Sequence, residues 1–201
     1  MKLLSSPASP FGRKVKMTIM MKNLKDKVEI TPVDATKGDA TLSAANPMGR
    51  IPVLVTADGQ VIHDSHVICE YLDSIGTGPA LFPAGPTRWD ALTRASLADG
   101  ITEAALLMVY EGRYRPENMK VQSWLDRQTS KINASLDMLE KNPPIWQAAP
   151  DYGHLSLAAA LGYLDFRHAG TWRAAHPKMV AWLDTFARAV PGYEASKPPA
   201  A

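Results

Sequence analysis

The chain has 201 residues, 46% of them apolar and 21% charged, and its 22 Lys and Arg against 20 Asp and Glu leave a net charge of +2. That is the composition of an ordinary folded protein, without the basic excess that nucleic acid or an anionic membrane asks of a partner. No apolar stretch reaches the ~18–20 residues of a membrane span, and Cys69 as the one cysteine excludes an internal disulfide.

Lys2–Leu4 reads as a first strand. Pro10–Asn23 reads as a helix in which Phe11, Val15, Thr18, Ile19 and Met21 recur at helical spacing. Val28–Val33 follows as a second strand, so the three elements form a βαβ unit with a right-handed crossover. Ala35–Ala45 is a weak helix or a loop. Val53–Thr56 and Val61–His63 flank "ADGQ", and Asp-Gly between two β-branched runs predicts a hairpin. Ser65–Ile75 closes this half as a helix with Val67, Ile68, Tyr71, Leu72 and Ile75 on one face. "GTGPALFPAGP", Gly76–Pro86, breaks every regular pattern and predicts a linker over 77–86. Beyond it the pattern is helical, over Thr87–Glu111, Pro116–Lys141, Ser156–Ala169 and Pro177–Ala189, with a frayed "SKPPAA" tail. The expectation is a small α/β domain over 1–76 followed by an all-α bundle over 87–201.

Three short stretches can carry chemistry. Ser9-Pro10 is a favoured N-cap followed by a favoured first helical residue. A capping hydroxyl accepts from helix N–H groups and keeps its own hydrogen. At the positive end of a helix it can donate that hydrogen to a bound thiolate and lower the thiol pKa. In "NPMGRIPVL", Pro52 opens a strand. If the Ile51-Pro52 bond is cis, the N–H and C=O of Ile51 turn outward as a pair for another backbone. If it is trans, this is only an edge strand. In "HDSHVICEYL", Ser65 is expected to cap the helix with Asp64 just outside the cap. Helix N–H groups bind carboxylates and the Asp could hold an ammonium, which together suit an α-amino acid head group.

The order and spacing of these pieces resemble a cytosolic glutathione S-transferase, through "SPFGRKV", "NPMGRIPVL", "DSHVICEYL" and the linker "LFP". Among classes the Ser-Pro-Phe start is most similar to bacterial members related to the omega and beta groups, which often carry Cys where Ser9 stands. The resemblance implies a thioredoxin-like α/β domain with a helical domain, and glutathione as co-substrate without a metal. It implies that Ser9 activates the glutathione thiol, that Ile51 before a cis Pro52 pairs with the cysteinyl backbone, and that Asp64 and Ser65 take the γ-glutamyl group. Arg50 stands where the family often has a long polar residue that reaches glutathione. A serine cannot form a mixed disulfide with glutathione, so the implied chemistry is conjugation to a small hydrophobic electrophile. The alternative is a glutathione-binding regulatory or stress protein with little turnover. A dithiol oxidoreductase is excluded, because one cysteine cannot supply Cys-x-x-Cys.

The resemblance also implies a homodimer, with Arg88 and Arg94 near its interface, and no role for nucleic acid or membrane. No signal peptide is read at the start, where the apolar Val15–Met21 is broken by Lys16 and Thr18, and the expected location is the cytoplasm. The family usually has Ser/Thr-x-x-Asp at the start of a buried helix of the second domain. Here Ser156-Leu157-Ala158-Ala159 keeps the expected cap and lacks the acid. Cys69 is expected as a small buried hydrophobe and His66 as a surface residue. Met108, Tyr110, Arg113, Tyr114 and Trp172 are candidates to line a second-substrate cleft, against the simpler reading that they are core.

Overall fold

The structure is a computed structural model that describes residues 1–199. It contains two compact units, Met1–Ala84 with the chain from Val190 onward, and Gly85–Ala189. No helix among the described residues is long and apolar enough to cross a membrane.

The first unit is built on a four-stranded sheet in the order β2-β1-β3-β4, from Lys2–Ser5 (β1), Glu29–Pro32 (β2), Val53–Val55 (β3) and Val61–His63 (β4). β1 runs parallel to β2, with Leu3 opposite Ile30. It runs antiparallel to β3, with Leu4 opposite Val53, and β3 pairs antiparallel with β4, with Val53 opposite His63. Three helices accompany the sheet: Pro10–Met21 (α1), Ala40–Ala45 (α2) and Ser65–Ile75 (α3). This is the thioredoxin-like α/β arrangement. Leu3 and Leu54 from the sheet, Val15 and Ile19 from α1, and Ile68 and Leu72 from α3 are all buried, and Leu4 and Val53 form a second buried cluster with Leu42 of α2. Cys69 is buried too, and the Thr18 hydroxyl donates to its sulfur at 3.3 Å.

The segment read as a linker is strapped to this unit as far as Phe82. Lys22 and Asp73 form a buried ion pair at 3.0 Å. Lys22 Nζ also donates to the carbonyls of Gly78 and Pro79, and the Asp73 carboxylate accepts from the Leu81 and Phe82 N–H groups. The end of the chain also belongs here, where the sequence reading puts it with the helical half. The Arg13 side chain donates to the Tyr193 carbonyl at 2.8 Å and lies 4.0 Å over the Tyr193 ring, which fixes the short Gly192–Ala195 helix (α8) against α1. Ser196, expected in a frayed tail, is buried for the same reason; Ala200 and Ala201 of that tail lie outside the described residues.

The second unit packs Thr87–Tyr114 (α4), Gln122–Lys141 (α5), Tyr152–Arg167 (α6) and Pro177–Ala189 (α7). α6 is the buried helix, enclosed from Tyr152 to Leu164. Its start corrects the sequence reading. Ser156 does not cap it: the helix begins four residues earlier, and Ser156 is an interior residue whose buried hydroxyl has no partner among the described residues. The cap is Asp151, which accepts from the His154 N–H at 3.0 Å while the His154 ring meets the Asp151 N–H at 3.2 Å, a capping box made with histidine. Gly153 is required in that first turn, because a Cβ there would stand 2.5 Å from the Ala91 carbonyl oxygen of α4.

Arg94 pairs with Asp151 inside this unit at 3.1 Å. Burial works against ionising Asp151, but the hydrogen bonds and charge of His154, with Arg94, outweigh it and hold the carboxyl below the ordinary carboxylate range. A depressed folded pKa gives stability that is complete above the unfolded value of ~3.9 and is lost as pH falls through the folded one. Asp151→Ala should therefore lower stability near neutral pH by about 2 kcal/mol, the upper range for loss of a cap. Urea unfolding should show the gap to wild type narrowing in acid, and a gap constant with pH would rule out this ionic role.

Candidate functional site

The sheet register gathers the sequence-predicted residues at one end of the first unit. β1 ends at Ser5, and its antiparallel partner β3 begins at Val53, just after Ile51-Pro52. β4 in turn ends at His63, opposite Val53, and leads directly into Asp64-Ser65. The N-termini of α1 and α3 start from this same end, so their N–H groups and positive dipole ends lie beside the exposed turns.

Ser9 caps α1. Its hydroxyl oxygen accepts from the Gly12 N–H at 3.0 Å, and Pro10 follows as the first helical residue. The cap accepts in that bond, so the hydroxyl hydrogen is left to donate elsewhere. Gly12 allows this crowding: a Cβ there would fall 2.1 Å from Ser5 Oγ and 3.3 Å from Ser9 Cβ. The loop before Ser9 is held by one carbonyl. Ser6 C=O accepts from the Ser9 N–H at 3.2 Å and from Lys16 Nζ at 3.2 Å. Burial and then the nearby Arg13 lower the Lys16 pKa. Sequence reasoning missed Lys16, because a lysine on an amphipathic helix normally faces water.

The Ile51-Pro52 peptide bond is cis. The Ile51 side chain packs on Leu4, Leu42 and Val53, while its N–H and C=O meet no hydrogen-bond partner among the described residues. Arg50 is exposed beside it, and its carbonyl accepts from Asn46 Nδ2 at 2.9 Å.

At α3 the roles of two neighbours are exchanged relative to expectation. Asp64, not Ser65, is the N-cap: its carboxylate accepts from the His66 N–H at 2.8 Å and the Val67 N–H at 3.4 Å. Ser65 is the first helical residue and is buried. The exchange follows from the Asp64 backbone, which sits at φ 74° and swings the carboxylate over the first turn of the helix. An L residue rarely adopts such a φ, and nothing in the sequence signals it.

Of the second-substrate candidates, Trp172 is buried in the helical unit and donates from Nε1 to Asp165 at 2.9 Å, so it is core. Met108, Tyr110, Arg113 and Tyr114 lie together on the last two turns of α4.

A family model described as "Glutathione S-transferase, N-terminal domain" matches residues 8–75, and one described as "Glutathione S-transferase, C-terminal domain" matches residues 122–185. The uncharacterised GST-like protein YibF of Escherichia coli K12 is 34% identical over 203 residues, covering 95% of this chain and 98% of its own. A solved glutathione transferase family member from Pseudomonas fluorescens Pf-5, with bound glutathione, is similar at a TM-score of 0.90 and 38% identity over 98% of both chains. A glutathione S-transferase from Methylobacillus flagellatus, also with glutathione bound, is similar at a TM-score of 0.90 and 29% identity, again over 98% of both chains.

Proposed function

The chain belongs to the glutathione S-transferase family, and from that premise we propose that it conjugates glutathione to a small hydrophobic electrophile with Ser9 activating the thiol. Residues 1–76 supply the glutathione site. The cysteinyl backbone of glutathione pairs with the N–H and C=O of Ile51, presented by the cis Pro52. Its γ-glutamyl carboxylate meets Ser65 and the N-terminus of α3, its ammonium meets Asp64, and Arg50 reaches one of its carboxylates. The thiol gives its proton to solvent and the Ser9 hydroxyl donates to the resulting thiolate. The sulfur lone pair then forms the bond to carbon, and the leaving group departs with its bonding electrons. The enzyme works as a cytoplasmic homodimer, and no metal is invoked.

The observation that carries this reading is the convergence of Ser9, Ile51-Pro52 and Asp64-Ser65 at one end of the sheet. Bound glutathione in two similar structures supports it. The second reading, a glutathione-binding protein with little turnover, draws on the Ser9–Gly12 bond, which a helix cap explains by itself. Calorimetric titration with glutathione, followed by turnover of chlorodinitrobenzene, separates them. Binding with turnover is expected, binding without turnover selects the second reading, and no binding removes both.

A further inference from the structure

The turn that carries Ser9 rests on a carbonyl that three donors share. Ser6 C=O accepts from the Ser9 N–H at 3.2 Å, from Lys16 Nζ at 3.2 Å and, at a long 3.5 Å, from the Ser5 hydroxyl. The Ser6 hydroxyl in turn accepts from the Ala8 N–H at 3.3 Å. Ser9 is therefore tied to Ser6, and Ser6 is held from the other side by Lys16. Of the three donors only Lys16 carries a charge, and a charged donor makes a hydrogen bond roughly twice as strong as a neutral one.

The place of Lys16 on α1 explains its reach. Side chains of a helix lean toward its N-terminus, so a lysine in the second turn points back at the turn before the helix. The side chain is half-buried there, where a charge is costly to keep without compensation. Among the described residues no carboxylate pairs with it. The Ser6 carbonyl is its acceptor, and the charge beside it, Arg13 three residues earlier, repels it. A lysine that served only the fold of α1 would extend its ammonium into water. This one commits its charge to the turn that ends at Ser9.

We propose that Lys16 is a positioning residue for the conjugation reaction, fixing Ser6 so that the Ser9 hydroxyl meets the glutathione sulfur. The role rests on Ser9 as the proposed activator of the thiol, and in it Lys16 itself touches no reacting atom. Without Lys16 the Ser9 cap survives, because its bond from the Gly12 N–H lies within the helix start. The turn from Ser6 to Ser9 loses its charged anchor, and the direction of the hydroxyl hydrogen is set less firmly. A hydrogen bond weakens steeply as it departs from linear, so a small rotation is enough.

The test reads the thiol of bound glutathione by the ultraviolet absorbance of its thiolate against pH, in wild type, Lys16→Met, Ser9→Gly and the double variant. Methionine keeps an apolar stem and removes the charge. Lys16→Met should raise the pKa of the bound thiol by about one unit, a roughly tenfold smaller thiolate fraction. Near pH 6.5 it should lower kcat with chlorodinitrobenzene about tenfold and leave KM for glutathione within about twofold. Lys16→Arg, which keeps a charged donor for the carbonyl, should restore both, and Lys16→Gln should fall between. In the Ser9→Gly background Lys16→Met should add little further shift. A purely structural lysine would change the melting temperature and leave the thiol where it was, a result that overturns the proposal. An equal shift with and without the Ser9 hydroxyl overturns it too, since the charge would then act on the sulfur directly. A wild-type thiol that titrates near the ~8.5 of a free one removes the role of Ser9, and the positioning role with it.

Discussion

Ser9→Gly is expected to lower kcat/KM for glutathione conjugation by about 10–100-fold near pH 6.5, with the deficit closing as the pH passes ~9. The size is that of one hydrogen bond to a charged acceptor, about 1.5–3 kcal/mol, at ~1.4 kcal/mol per tenfold. The pH dependence follows from which state the hydroxyl favours. Under the proposed mechanism it donates to the thiolate, and so holds the pKa of the bound thiol below the ~8.5 of a free one. Without it the pKa climbs back, and the reactive fraction falls wherever the wild-type thiol is ionised and the variant thiol is not. Above both values the two enzymes are equally ionised and the difference goes.

Glycine is the informative substitution because the proposed mechanism gives Ser9 a second job beside its cap. It caps α1 through Gly12 N–H, and alanine would remove that cap at a cost of about 0.5–2 kcal/mol, whereas glycine loses only a few tenths. A rate loss in Ser9→Gly with an unchanged melting temperature then belongs to the thiol. Ser9→Thr keeps both the cap and the hydroxyl and should stay close to wild type. A Ser9→Gly rate equal to wild type across the pH range would leave Ser9 as a helix cap alone.

The succession of strands and helices in the first unit and the helix cap at Ser9 were legible because each rests on a local signal. Asp-Gly marked the β3–β4 turn, and Ser-Pro marked the start of α1. What was not legible depends on contacts distant in sequence. Arg13 and Tyr193 are 180 residues apart, and no local pattern says that the chain end returns to the first unit. The start of α6 was hidden for a different reason. Gly153 and His154 are weak helix formers, and only the approach of Ala91 and the Asp151–His154 cap make them helical. Ser156, by contrast, follows the local rule for a cap and is overruled by burial. At α3 the sequence signal was right about the pair and wrong about which member caps, because a positive φ at Asp64 is imposed by the fold.

Asp64→Asn is expected to weaken glutathione binding by about tenfold or more while leaving the melting temperature near that of wild type. Asparagine caps helices as well as aspartate does and tolerates positive φ, so the bonds to the His66 and Val67 N–H groups survive and only the negative charge is removed. The interaction expected to be lost is the proposed pair between the carboxylate and the ligand ammonium, a charge-assisted hydrogen bond of about 1.5 kcal/mol or more once the ligand shields it from water. Asp64→Gly asks a different question of the same position. A non-glycine residue held at such a φ costs about 1–3 kcal/mol, and glycine relieves it while giving up only a few tenths as a cap. That variant should therefore be as stable as wild type or up to about 1 kcal/mol more so, and still bind glutathione as poorly as Asp64→Asn. Backbone strain that is relieved together with loss of the ligand is strain held for binding. If Asp64→Asn binds glutathione as wild type does, the carboxylate serves only its own helix.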